Sequence, residues 1–397
     1  MLHMLRNSIN RLIEIFYRIF YHFIQVDENT VLFLSFHGRN CADNPKAIYE
    51  FMRKNNQFKN YKFIWALRHQ ENILDSDVEK KTKVIKYLSL SFFYYLAKSK
   101  YWIFNCKTYP FMRKKENQIY LQTWHGTPLK RLGHDINVSS DTKFYRSGLS
   151  VEEMKSTYDD DVSKYTYMIS PNSFCTEVFQ SAFRINRERL IETGYPRNDI
   201  LTNATDVMKQ KIRDKYQILD GKKIILYAPT WRDNSFTAAG YTFELKADFC
   251  KWKEVLGEEY VVLFKPHYLI INQYENREEL KGFLFNIDPT DEISDLYLIS
   301  DILITDYSSV FFDYAILKRP IYFYMYDIDS YREELRGFYI DINKDLPGKI
   351  YEQEDTMLTD IVAGVYDYGK LESFNAYFNE HEDGKASERV IDIVFKE

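Results

Sequence analysis

An imidazole flanked by an indole and a glycine opens the chemistry of this chain. It stands in Gln122-Thr123-Trp124-His125-Gly126-Thr127-Pro128-Leu129-Lys130, directly after the strand-like run Gln118-Ile119-Tyr120-Leu121. Ligands of α/β proteins bind beyond the carboxyl ends of parallel strands, so a histidine on a tight turn there is placed for chemistry. Gly126 allows close approach, and Pro128 stiffens the exit. A histidine that only caps a turn would fit the same residues.

Three apolar runs in the second half end in polar constellations: Ala228-Pro229-Thr230-Trp231-Arg232-Asp233, Phe264-Lys265-Pro266-His267 and Thr305-Asp306-Tyr307-Ser308-Ser309. In the last, a strand runs into two serines that open a helix from Val310 to Leu317. Free backbone N–H groups with hydroxyls beside them suit a phosphate, although N-capping by Ser308 explains one serine equally well. Lys265 and His267, stiffened by Pro266, could hold a diphosphate and offset charge growing on a leaving group, with no metal needed; a surface lysine and a backbone-bonded histidine are the plain alternative. Asp313, four residues after Ser309, shares its helical face and could accept from hydroxyls or pair with a lysine. Arg197 sits among the turn residues of Glu192-Thr193-Gly194-Tyr195-Pro196-Arg197-Asn198-Asp199, in a ligand site or an ordinary surface ion pair.

Positioning these groups requires strand ends. Short apolar runs alternate with helical segments at Val31 to Phe36, Lys62 to Leu67, Lys83 to Tyr87, Tyr101 to Asn105, Ile119 to Leu121 and Tyr167 to Ser170. The pattern returns at Ile224 to Ala228, Tyr260 to Lys265, Phe283 to Ile287, Ile302 to Thr305 and Pro320 to Tyr326. Such alternation predicts parallel sheets with crossover helices, hence two doubly wound α/β domains facing a cleft. The expected divisions are 1–26, 27–205 and 206–397. Asp43-Asn44-Pro45 is expected to begin the helix Lys46 to Lys54, after a His37-Gly38-Arg39 loop that an acceptor could meet. Ser173 is the expected N-cap of a helix from Phe174 to Phe183. The polar stretch from Gly133 to Thr157 reads as a mobile connection.

Residues 1–24 bring Leu2, Leu5, Ile9, Leu12, Phe16, Phe20 and Phe23 to one side of a helix, with Asn7, Arg11, Glu14 and Arg18 opposite. Such a face suits either a membrane interface or packing on its own domain. Arg113, Lys114, Lys115, Lys130 and Arg131 could add attraction to an anionic surface.

Composition narrows the function further. A net charge of -5 argues against a general nucleic-acid binder. Four separated cysteines, Cys41, Cys106, Cys175 and Cys250, indicate neither a zinc knuckle nor a disulfide framework and suit a reducing cytoplasm. No apolar run reaches the roughly 20 residues of a membrane-spanning helix. P-loop, HExxH and GxSxG patterns are absent, and glycine is sparse at 14 residues. No cofactor is called for, and no metal site.

Taken in order, the motifs Thr123 to Lys130, Glu192 to Asp199, Tyr227 to Arg232, Lys265 to His267 and Ile304 to Ser309 resemble those of the CDP-glycerol glycerophosphotransferase family of wall teichoic acid synthesis. The resemblance implies a GT-B architecture with CDP-glycerol held mainly by the C-terminal domain. It also implies glycerol phosphate transfer to a hydroxyl of an undecaprenyl-linked saccharide or growing polymer, with release of CMP, at the inner membrane face. In its terms His125 resembles the catalytic base and His267 a second essential histidine. Arg197, Pro229, Thr230, Ser308, Ser309 and Asp313 resemble donor-binding positions; Lys265 is added on charge grounds. Trp124, Gly126, Thr127, Pro128, Arg232 and Thr305 complete the expected substrate-binding set. Ribitol-phosphate transfer from CDP-ribitol, a GT-B glycosyltransferase using a nucleotide sugar, and a non-catalytic nucleotide-responsive scaffold are the alternatives.

Overall fold

The alternating runs assemble into two parallel sheets in the computed structural model, which describes residues 14–69, 82–137, 149–230, 236–237, 240–241, 246–265, 277–328 and 337–396. The first sheet contains β1 (Asp27–Leu34), β2 (Lys62–Leu67), β3 (Thr82–Lys86), β4 (Ser99–Phe104), β5 (Ile119–Gln122), β6 (Tyr167–Ser170) and β7 (Leu190–Glu192). Their order is β3-β2-β1-β4-β5-β6-β7, all parallel. Val31, Leu32, Phe33 and Leu34 are all buried, as expected for a strand covered on both faces. Strand order reverses between β1 and β4, so the loops leaving β1, β4 and β5 open together at a topological switch point.

The second sheet repeats this plan with β8 (Lys223–Ala228), β11 (Tyr260–Phe264), β12 (Leu284–Asn286), β13 (Ile302–Thr305), β14 (Ile321–Tyr324) and β15 (Ile350–Tyr351); β9 (Phe236–Thr237) and β10 (Gly240–Tyr241) form a separate antiparallel pair. The order β12-β11-β8-β13-β14-β15 places its switch point between β8 and β13. Tyr227, Phe249, Trp252 and Phe264 anchor the core on one side of this sheet. Two parallel-sheet domains of this kind are the GT-B-like plan expected from the sequence.

By contacts, one unit comprises 1–125, 132–199 and 381–397, and the other 126–131 and 200–380. The tail from His381, placed by sequence with the second domain, therefore groups with the first sheet. Asp199 explains part of this: its carboxylate accepts the N–H groups of Ala386 and Ser387, each at 2.8 Å, at the start of helix Ala386–Val394. Phe395 then stacks on Tyr101 with centroids 4.1 Å apart.

Local expectations change at several points. Asn172, not Ser173, caps helix Ser173–Phe183, accepting from Cys175 N–H at 2.7 Å. Within the supposed mobile connection, Val151–Lys164 is helical because Ser150 and Glu153 form a reciprocal capping box; residues 138–148 lie outside the described set. The helix expected from Lys46 begins at Asp43, and the one opened by the two serines ends at Ala315.

Residues 14–23 are helical. Tyr17 anchors this helix, packing near Phe93 at 5.9 Å and donating its hydroxyl to Arg113 O, while Lys115 Nζ donates to Ile24 O. Ile15, Phe16, Ile19 and Phe23 are exposed. The earlier part of the expected amphipathic face, Leu2 to Leu12, lies outside the described residues. Among the described residues no helix is long and apolar enough to cross a membrane.

Candidate active site

The turn after β5 is built to present His125. Gln122 Oε1 accepts Trp124 N–H at 3.0 Å, while Thr123 N–H continues the ladder to Phe104 O at 2.8 Å. Trp124 then takes a left-handed φ of 52°. This conformation is costly for a bulky residue and holds only where its surroundings over-determine it. Those surroundings are Phe179 and Phe183, with centroids 6.0 and 4.8 Å from the indole.

His125 stacks on Trp124 at 4.4 Å and keeps an exposed edge. Its Nδ1 lies 2.9 Å from Asn105 O. A carbonyl oxygen can only accept, so Nδ1 carries the proton of the neutral ring and Nε2 keeps its lone pair. Burial lowers the imidazole pKa; Asp43 and the Asn105 carbonyl oppose that shift, and Arg197 adds to it. The ring packs on Trp124 and lies edge-on to Phe36. The result is a neutral ring near physiological pH, suited to taking a proton.

A polar net that sequence reading had passed over ties the neighbouring loops together. Asp43 has a left-handed φ of 62°. Its Oδ2 accepts Asn105 Nδ2 at 2.6 Å, and its Oδ1 accepts Arg197 Nη1 at 2.8 Å. That Nη1 also donates to His125 O at 2.7 Å. Asn44 Nδ2 donates to Thr123 O and Trp124 O at 3.2 and 3.3 Å, while its Oδ1 accepts Arg197 N–H at 3.1 Å. Asn105 Oδ1 accepts Phe36 N–H at 2.8 Å. The available signal was the Asp43-Asn44 pair ahead of Pro45: two polar residues at a helix start whose side chains cap nothing locally. Arg197 was identified from sequence, and its guanidinium engages Asp43, the His125 backbone and the Tyr195 ring.

Gly126, Thr127 and Pro128 are buried and belong to the second unit. Their segment is pinned there by Tyr339 N–H to Leu129 O at 2.9 Å and Arg131 N–H to Gly337 O at 3.0 Å.

At the switch point of the second sheet, Thr305 Oγ1 donates to Ala228 O at 2.8 Å, and Asp306 Oδ1 accepts Thr230 N–H at 2.7 Å. These bonds lock the Pro229-Thr230 corner against the end of β13. Ser309 occupies the cap position of helix Val310–Ala315 but makes no side-chain capping bond. Ser308 and Ser309 are half-buried, whereas Asp313 is buried. Lys265 is more committed than expected: its Nζ donates to Asp288 O and Asp291 O, and burial pulls its pKa down to about 8. It holds the loop beyond β12. His267 and Arg232 lie outside the described residues, as does Trp231.

The model of the family described as CDP-Glycerol:Poly(glycerophosphate) glycerophosphotransferase matches residues 15–396. The teichoic acid poly(glycerol phosphate) polymerase of Staphylococcus epidermidis is 40% identical over 381 residues, covering 94% of this chain and 51% of that relative. The chain thus spans about half the length of that relative. The teichoic acid glycerol-phosphate transferase of Staphylococcus aureus is 36% identical over 410 residues, covering 99% of this chain and 100% of the relative. A solved structure of the wall teichoic acid polymerase TagF, a histidine-to-asparagine variant with CDPG, matches at a TM-score of 0.86 and 36% identity, covering 99% of this chain and 96% of that one.

Proposed function

Since the chain belongs to the CDP-glycerol:poly(glycerophosphate) glycerophosphotransferase family, we propose that it transfers glycerol phosphate from CDP-glycerol to a hydroxyl of a teichoic acid chain or its lipid-linked saccharide primer. The observation that carries this reading is His125 itself, held with Nδ1 on the Asn105 carbonyl and an exposed edge. Nε2 takes the proton of the acceptor hydroxyl as that oxygen attacks the β-phosphorus of the donor. A new P–O bond forms, the bond to the bridging oxygen breaks, and CMP leaves with its electron pair. General-base assistance of this type contributes roughly 10²- to 10⁴-fold; positioning and charge stabilisation supply the rest.

Arg197 fixes the His125 carbonyl and adds positive charge beside it. In the second unit, Pro229, Thr230, Ser308 and Ser309 line the loops that would take the donor, with Thr305 and Asp306 as their braces. His267 is proposed as a second donor-side histidine on the strength of its motif. The exposed Ile15, Phe16, Ile19 and Phe23 support the further reading that helix 14–23 lies in a membrane interface, where a lipid-linked acceptor is found.

A donor panel tests the assignment. Purified protein with a synthetic lipid acceptor should release CMP from CDP-glycerol faster than from CDP-ribitol, and should turn over no UDP-sugar. Preferential use of a UDP-sugar would replace the proposal with nucleotide-sugar glycosyl transfer.

A further inference from the structure

The turn after β1 carries charges that the mechanism above leaves unused. Phe36, His37 and Gly38 have φ values of 45°, 55° and 78°, three left-handed residues in succession. Each L residue in that region costs roughly 1–2 kcal/mol, so the run must be held from outside. Asn105 Oδ1 holds Phe36 N–H, and Cys106 Sγ accepts His37 N–H at 3.3 Å. Arg68 Nε donates to His37 O at 2.8 Å, and Arg68 N–H to Gly38 O at 2.6 Å. A Cβ on Gly38 would come within 3.0 Å of Tyr87 Cβ and 3.1 Å of Ala66 O. The Phe36 ring lies edge-on to His125 with centroids 6.0 Å apart, so this turn borders the proposed base.

Two cations flank the turn without a carboxylate partner among the described residues. Arg68 is exposed and spends Nε on the turn, leaving the donors of both Nη groups for another acceptor. Lys107 is half-buried; its Nζ has Thr157 Oγ1 at 2.8 Å and the Tyr158 ring centroid at 3.8 Å. Burial lowers its pKa, and Asp161, whose field opposes that shift, has its oxygens bonded to Thr108 and Tyr165. Burial, followed by the charges of Arg68, Arg39 and Lys107, pushes the His37 pKa down to about 4, so this ring is neutral. A partly desolvated ammonium is costly unless an anion completes its surroundings.

We propose that Arg68 and Lys107 form a phosphodiester subsite on the first unit, which grips the last phosphate of a poly(glycerol phosphate) acceptor and delivers the hydroxyl beyond it to His125. The inference rests on the glycerophosphotransfer reading and deepens it. A polymer ending in glycerol phosphate offers an anion a short glycerol spacer away from its attacking hydroxyl, and a neutral primer end does not. Guanidinium and ammonium donors on a single phosphate are among the stronger hydrogen bonds available.

Two lipid acceptors test this with labelled CDP-glycerol and the full chain, one ending in glycerol phosphate and one in a neutral glycerol ether. Arg68→Gln and Lys107→Gln should each raise KM for the phosphodiester acceptor about tenfold. KM for the neutral acceptor and the Kd for CDP-glycerol should stay within about twofold, because the neutral acceptor offers no phosphodiester for these cations and the donor is proposed to bind on the second unit. Arg68→Lys, which retains the charge, should recover part of the loss, and thermal unfolding confirms that each variant is folded. Unchanged KM for the phosphodiester acceptor, or an equal rise for both acceptors, overturns the subsite; a weaker donor Kd would reassign the cations to the donor. Failure of the unsubstituted protein to transfer from CDP-glycerol to either acceptor would instead defeat the underlying functional reading.

Discussion

Asp43 holds Arg197 through a 2.8 Å ion pair, and the same Nη1 reaches the His125 carbonyl at 2.7 Å. The two side chains keep only 5% and 19% of their surface exposed. The proposed base is therefore aimed through its backbone, by an arginine that is itself held by a carboxylate.

Asp43→Asn isolates that charge, because asparagine tolerates the left-handed backbone of position 43. Breaking a shielded pair leaves an uncompensated arginine, so urea unfolding should show a loss of roughly 3 kcal/mol. CMP release should fall about tenfold or more, the rate change expected from about 1.4 kcal/mol of lost transition-state stabilisation. Unchanged stability and turnover would show that the pair is incidental.

Acidity separates the two partners. The negative charge of Asp43 favours the imidazolium of His125, and the positive charge of Arg197 disfavours it. Wild-type kcat/KM should lose activity on the acid side below the ordinary histidine range, since the His125 pKa is lowered. Asp43→Asn should move that limb to still lower pH, and Arg197→Met should move it higher. pH profiles shifted in the same direction would refute this electrostatic assignment.

Removing the base has a different signature. His125→Ala should reduce CMP release by about 10²- to 10⁴-fold while calorimetry finds CDP-glycerol binding preserved. Near-normal turnover by the purified variant would transfer the role elsewhere.

Donor affinity should respond on the other sheet. Among the described residues the N-cap Ser309 makes no side-chain bond to the following helix, so Ser308→Ala and Ser309→Ala should leave the melting temperature unaltered. Each should weaken CDP-glycerol binding by roughly threefold to tenfold, the range of one lost hydrogen bond. Lower stability with unchanged affinity would mark the serines as structural.

Membrane attachment is tested on residues whose exposure makes folding effects small. Ile19→Gln and Phe23→Gln should each reduce co-flotation with anionic vesicles about tenfold, the loss expected for one apolar side chain withdrawn from the interface. Flotation unaffected by the double substitution would remove helix 14–23 from the attachment site.

Local pattern determined much of this protein. Runs such as Val31 to Leu34 and Ile224 to Ala228 announce buried parallel strands because both faces are apolar, and the turn residues at their ends mark His125, Thr230 and Ser308 as candidates. The three residues of β7 and two of β15 are too short to carry such a signal. Helix Val151–Lys164 was legible in the Ser150 and Glu153 capping box, though its polar surface concealed it. Only the tertiary structure decided how His125 is oriented and which nitrogen keeps its lone pair. Those properties depend on Asn105, Asp43 and Arg197, and the bonds from Asp43 to Asn105 and Arg197 span 62 and 154 residues of chain. Strand periodicity is set by neighbours in sequence, whereas a proton's place on a ring is set by whichever loops the sheet order brings together.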